Sequence, residues 1–128
     1  ITRERAISRA RNTLMYERPF LRALLGAGNV EAPIETQPFP SKWEWHFEKG
    51  KLFYYSVDRD ILEIHGDIAR KYNALLNVSI PGIGKLGEPT TNELPTPDGL
   101  GRYNDFINGS IYWHAATGAT AELHGSIR

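Results

Sequence analysis

Two pairs of residues carry the most direct chemistry in this sequence. Glu63-x-His65 and Glu122-x-His124 each set a carboxylate and an imidazole two residues apart. On a strand that spacing puts both groups on one face, where they could act as an acid/base pair or as two ligands of a metal. A plainer purpose is also open: each His stands directly before a glycine, Gly66 or Gly125, and would end a strand against nearby backbone. Because the feature recurs, the structural reading leads, and neither a catalytic residue nor a metal site is expected. Nucleophilic catalysis has no support, since there is no cysteine, no Gly-x-Ser-x-Gly elbow and no phosphate-cradling glycine loop. The chain therefore reads as a non-enzyme, and no cofactor is implied.

The aromatic residues offer a different chemistry. Ring faces stack on the C–H faces of sugars while neighbouring Asp, Asn or Glu side chains bond the hydroxyls, so an exposed cluster makes a carbohydrate platform. Trp43, Trp45, Tyr54, Tyr103, Tyr112 and Trp113 are the candidate ligand-binding rings, with Asp98, Arg102 and Asn104 as their polar partners. Each hairpin can also bury one face against a helix, which would place most of these rings in the core. Tyr112 and Trp113 are adjacent, so they must point to opposite faces. One or two rings are expected to remain for a ligand. Asp98-Gly99 follows Pro95-Thr96-Pro97 and reads as a rigid turn ahead of a ligand-gripping loop. The spaced carboxylates of a calcium loop are absent.

Charge and composition narrow the partners. In 128 residues, 15 Lys+Arg balance 15 Asp+Glu, so the global positive field of a dedicated nucleic-acid binder is missing. Six of the first 22 residues are Arg against two Glu, which could meet an anionic polymer but fits a solvated helix face better. A hydrophobic fraction of 41 % argues against disorder, and no apolar run approaches the roughly 18 residues of a membrane span. The absence of cysteine suits a cytosolic or a secreted bacterial chain, and the start at Ile1 without Met suits a processed one. Asn77-Val78-Ser79 and Asn108-Gly109-Ser110 match the glycosylation pattern, the second being explained equally by a hairpin.

The elements that would position these residues are short. Thr2 can cap a helix carrying Ala6, Ile7, Ala10 and Leu14, and Pro19 can start a second with Phe20, Leu21, Leu24 and Leu25. Residues 29–40, with Pro33, Pro38 and Pro40, read as an ordered linker. Trp43, Trp45 and Phe47 alternate with polar residues, and a turn at Lys49-Gly50 leads to Leu52–Tyr55 and a third strand over 61–64. Asp67 caps a helix over Ile68, Ala69 and Tyr72, and an irregular 77–101 follows. A second hairpin then turns at Asn108-Gly109 in type I′ geometry, with Ala119–Leu123 as its third strand. The expected class is α+β: short helices on antiparallel hairpin units repeated twice. A chain of this length is expected to form a single domain, with a helical segment and linker over 1–41, a first hairpin unit over 42–68 and a full unit over 64–128.

The repeat is explicit at an offset of 59, where Phe47, Gly50, Glu63, His65, Gly66 and Ile68 match Phe106, Gly109, Glu122, His124, Gly125 and Ile127. Leu86-Gly87-Glu88-Pro89, Pro97-Asp98-Gly99, Gly101-Arg102-Tyr103-Asn104-Asp105-Phe106, Asn108-Gly109-Ser110-Ile111-Tyr112-Trp113 and Thr117-Gly118-Ala119 follow in order. This stretch resembles an LGFP repeat, with one full unit at about 64–127 and a degenerate half unit at 42–63. Lys42-Trp43-Glu44 and Asp58-Arg59-Asp60 replace the Gly-Arg-Tyr and Thr-Gly-Ala elements there, Tyr72 stands where the family more often has Trp, and Ala74-Leu75-Leu76-Asn77 where Leu-Gly-Gly is usual. The resemblance implies a cell-wall-associated module of the kind appended in tandem to secreted actinobacterial proteins. The expected function is non-catalytic attachment to cell-wall or extracellular polysaccharide. The alternatives are a protein-interaction module, including assembly with a copy of itself, and a small wall hydrolase. Nucleic acid is not an expected partner.

Overall fold

The computed structural model describes residues 1–38 and 41–124. Pro40 of the expected linker, and Gly125 and Ile127 of the repeat, lie outside the described residues. The chain resolves into two compact units, Ile1–His65 and Gly66–Arg128, each an antiparallel four-stranded sheet with helical cover. The α+β class with repeated hairpin units is what the sequence leads one to expect.

In the first unit, α1 (Arg3–Asn12) begins where Thr2 accepts the Arg5 N–H at 3.2 Å, and it buries Ala6, Ile7 and Ala10. A π-helical turn (Thr13–Glu17) and the short α2 (Leu21–Leu25) continue it. The sheet runs β1 (Ile34–Pro38), β2 (Ser41–His46), β3 (Gly50–Tyr54) and β4 (Leu62–His65), neighbours in that order. Strand β1 lies inside the stretch expected to be a linker. It is an edge strand and the proline is its last residue, and edges and strand ends are where a sheet accepts proline. Trp43, Trp45, Phe47, Leu52 and Tyr54 form one core with Ala6, Ala10, Leu14, Leu21 and Leu25.

The second unit opens with α3 (Gly66–Ala74), which buries Ile68, Ala69 and Tyr72. Its sheet runs β5 (Leu94–Pro95), β6 (Gly101–Phe106), β7 (Gly109–His114) and β8 (Gly118–Leu123). The two-residue β5 adds a fourth strand where the sequence suggests a three-stranded meander. Tyr72 stacks on Phe106 with centroids 5.4 Å apart and planes at 20°, so α3 covers the face that carries Phe106 and the fully buried Ile111.

The two units match in detail. The pairs Glu44↔Phe53 and Trp45↔Leu52 recur, 59 residues on, as Tyr103↔Tyr112 and Asn104↔Ile111. The match also extends upstream, into residues that the sequence alone leaves outside the repeat. Lys49 N–H donates to the Leu25 carbonyl at 2.7 Å, and Asn108 N–H donates to that of Leu86 at 2.9 Å. Gly26 and Gly87 follow those leucines with φ of +75° and +83°. Buried positions in α1 (Ala6, Ile7, Ala10) and α3 (Ile68, Ala69, Tyr72) share one spacing. Each unit is therefore helix, Leu-Gly turn and four-stranded sheet, and the first is a whole copy rather than a half.

The hairpin turns differ from the type I′ expectation. Phe106 pairs with Gly109, so the loop residues are Ile107 and Asn108, and no described residue other than glycine has positive φ. Gly109 is not among the positive-φ glycines either. It is needed for closeness: a Cβ there would lie 2.3 Å from the Glu122 carbonyl oxygen and 2.9 Å from Leu86 Cδ1. Gly50 meets the same constraint, 2.2 Å from the Ile64 oxygen and 2.7 Å from Leu25 Cδ2.

Candidate functional site

Three of the expected ligand-binding rings are core residues. Trp43, Trp45 and Tyr54 are 7 %, 0 % and 4 % exposed, which leaves no ring face for a sugar. Both indoles are anchored from inside: Trp43 Nε1 donates to the Ile1 carbonyl at 3.1 Å and Trp45 Nε1 to that of Val30 at 2.6 Å. Alternation in β2 is a correct signal of a one-sided strand; the side it marks is the one under the helices. Asn104 is also fully buried, its Nδ2 donating to the Thr91 carbonyl at 3.1 Å, so it braces the strand instead of facing a ligand.

The remaining rings divide as adjacency demands. Trp113 lies opposite Arg102 and Ala119 on the α3 side, where its Nε1 donates to Asp67 Oδ2 at 2.9 Å. Tyr112 lies on the other side, directly across from Tyr103. The two phenol rings stack with centroids 5.5 Å apart and planes at 27°, and each is only half-buried. Cross-strand register fills out this outer face. Leu94, 37 % exposed, flanks Tyr103, and Thr120, exposed, flanks Tyr112. One row further, Asp105, Ser110 and Glu122 line up, with the Ser110 hydroxyl donating to Asp105 Oδ1 at 2.5 Å. At the opposite end His114 stands between Gly101 and Gly118, where neither neighbour has a side chain to cover it. Sequence reasoning missed Leu94, Thr120 and Asp105, and it singled out Glu122 only as the partner of His124. Thr120, Asp105 and Glu122 become visible on this face once β6, β7 and β8 are placed in register from the two tight turns; Leu94 has no such signal.

The polar partners proposed with the rings do not converge on them. Arg102 is exposed but lies on the Trp113 side and pairs with Glu93 at 2.7 Å. Asp98 closes its own loop, accepting from the Thr96 hydroxyl at 2.6 Å and from Leu100 N–H at 2.9 Å. Those two bonds, the Thr96 one foremost, hold its carboxyl below the ordinary aspartate range. The arginine-rich start is similarly engaged within its unit. Arg9 pairs with Glu17 and Asp60, Arg11 pairs with Glu31, and Arg18 donates to the Ile61 carbonyl at 2.6 Å.

The two Glu-x-His pairs do not play one role. His65 Nδ1 lies 2.5 Å from Glu63 Oε2, and Glu63 is 3 % exposed opposite Leu52 on the helix-covered face. Glu122 is exposed and stands opposite Ser110 on the outer face. The third strands differ by one register step, Gly50↔His65 against Gly109↔Leu123, and a step of one reverses every side chain. Among the described residues no group of three His, Cys, Asp or Glu is placed to hold a metal ion. No described helix is long and apolar enough to cross a membrane.

The tyrosine pair belongs to the second unit alone, since Glu44 and Phe53 hold the corresponding places in the first. That unit is also where a known family enters. A family model of the LGFP repeat matches residues 86–128, a span that contains the Leu86-Gly87 turn and all of β5–β8. No curated protein matches the chain as a relative.

Proposed function

We propose that the chain is a non-catalytic binding module, and that it holds a cell-wall or extracellular polysaccharide on the outer face of the β5–β8 sheet. The observation that carries this reading is the half-buried Tyr103–Tyr112 stack, set on the sheet that the LGFP match covers. Stacked phenols present apolar area with few rotatable bonds, and Thr120, Asp105 and Glu122 supply hydroxyl-bonding groups around it. The family resemblance supports a secreted, wall-associated setting for such a site. Retention on purified peptidoglycan and arabinogalactan tests the reading. Tyr112→Ala should weaken retention about tenfold, a loss of about 1.4 kcal/mol, while the fold persists. Absence of retention of the native chain on any wall fraction overturns it.

A second reading, assembly with a copy of itself, is favoured by one observation. Met15, Tyr16 and Phe20 are 61 %, 73 % and 61 % exposed around the π-helical turn. Sedimentation velocity over a concentration series separates the two readings. A strict monomer that still binds polysaccharide removes the second.

A further inference from the structure

Charge on the outer face of the β5–β8 sheet narrows the glycan, and this inference rests on the platform reading above. Among the described residues at the register positions of that face, the charged side chains are Asp105 and Glu122, with His114 at the far end and no Lys or Arg. Arg102, the nearest cation in sequence, belongs to the reverse side and is held by Glu93. Both carboxylic side chains sit in the row next to the tyrosine pair, two residues along each strand, a separation of about 7 Å. That is within the span of one sugar ring lying across the phenols. We propose that the occupant is a glycan strand carrying protonated amino groups, its ring stacked on Tyr103 and Tyr112 and its ammonium group received at the exposed Glu122, with the half-buried Asp105 adding negative charge across the fully buried Ser110. Uronic or phosphorylated strands meet two like charges on this face and are disfavoured.

Titration of the full chain with three oligosaccharides of equal length tests this: glucosamine, N-acetylglucosamine and galacturonic acid oligomers. Amide chemical shifts of β6 and β7 report the site, at about pH 6, where free amines are charged and carboxylic acids in general ionised. The amino oligomer is expected to bind about tenfold more tightly than the N-acetyl one, with the uronic one weakest. The margin should shrink when salt rises from about 0.02 M to 0.15 M. Asp105→Asn with Glu122→Gln should bring the amino and N-acetyl oligomers to equal affinity while Tyr112→Ala weakens both. Equal or tighter binding of the N-acetyl or uronic oligomer to the native chain overturns the amine proposal and leaves the platform standing. Shifts confined to residues away from β6 and β7, or no shifts with any oligomer, overturn the platform itself. The native-chain ranking decides the question even where a variant fails to fold.

Discussion

Replacing Gly109 with alanine tests the feature that shapes both sheets. The new methyl would stand 2.3 Å from the Glu122 carbonyl oxygen, 2.9 Å from Leu86 Cδ1 and 3.0 Å from Leu123 Cα. Two of those three atoms are backbone, so strand β8 must move away by about 1 Å to reach ordinary contact, and the ladder bonds at that end weaken with it. The expected cost is about 3 kcal/mol, or roughly 12–24 °C in Tm for a unit of this size. Gly50→Ala should cost the same in the first unit, since its methyl would meet the Ile64 oxygen at 2.2 Å. Gly99 supplies the contrast: its φ is +72° and no atom lies within 4 Å, so alanine there bears only the left-handed backbone penalty, about 1 kcal/mol. Asparagine separates the explanations further. It visits the left-handed region readily, so Gly99→Asn should cost less than Gly99→Ala, whereas Gly109→Asn should be worse than Gly109→Ala. Thermal unfolding followed by near-ultraviolet circular dichroism gives each value. If Gly109→Ala costs no more than Gly99→Ala, or if Gly109→Asn is the milder change, the close-approach argument fails and a turn-conformation argument replaces it.

Three further outcomes are expected. Trp45→Phe removes a fully buried indole and its 2.6 Å bond to Val30, costing about 3 kcal/mol. The folded fraction should keep its polysaccharide retention, and unchanged denaturant stability would contradict the core assignment. Trp113→Phe keeps most of the ring but deletes the 2.9 Å bond to Asp67; a loss of about 1.5 kcal/mol in urea unfolding is expected, and none if the indole is merely peripheral. Asp98 is held below its ordinary value of 3.8, so its contribution to stability is present above that value and fades as pH falls through the lower folded one. Thr96→Val should therefore flatten the decline of Tm between about pH 4 and pH 2, and an unchanged acid limb would show that the Thr96–Asp98 bond is not the cause.

Much of the architecture can be read from residue order, and the failures have physical causes. Trp43, Trp45 and Phe47 mark a strand with one buried side, and Tyr112-Trp113 correctly splits between two faces, because side-chain alternation is a local property of extended backbone. Strands β1 and β5 carry no such signal. Both are edges, both include proline, and their pairing is decided by a neighbour rather than by their own pattern. The first Leu-Gly turn escapes a search at constant offset, since Leu25-Gly26 and Leu86-Gly87 are 61 residues apart while the hairpins are 59 apart. Of the candidate site, Tyr103 and Tyr112 are legible and half-buried, whereas which face of β2 and β3 lies under the helices is a tertiary fact that period-two patterning cannot supply.

The register step between the third strands explains how the two Glu-x-His pairs come to serve unequal ends. The two stretches align without a gap, but they close differently: residues 55–61 join β3 to β4, whereas only 115–117 join β7 to β8. In the second unit Thr117 N–H donates to the His114 carbonyl at 3.2 Å and Gly118 takes φ of +72°, so pairing runs to the turn as His114↔Gly118. In the first, Asp58-Arg59-Asp60 holds no glycine for that conformation, pairing stops at Phe53↔Leu62, and Ile61 is drawn fully into the core with its carbonyl taken by Arg18. The two third strands consequently enter one residue out of step. Glu63 is turned inward beside Leu52, where His65 meets it, and Glu122 is turned outward beside Ser110. A tight Thr-Gly turn thus places a carboxylate on the same open face as the tyrosine pair, and it does so only in the unit that has the tyrosines.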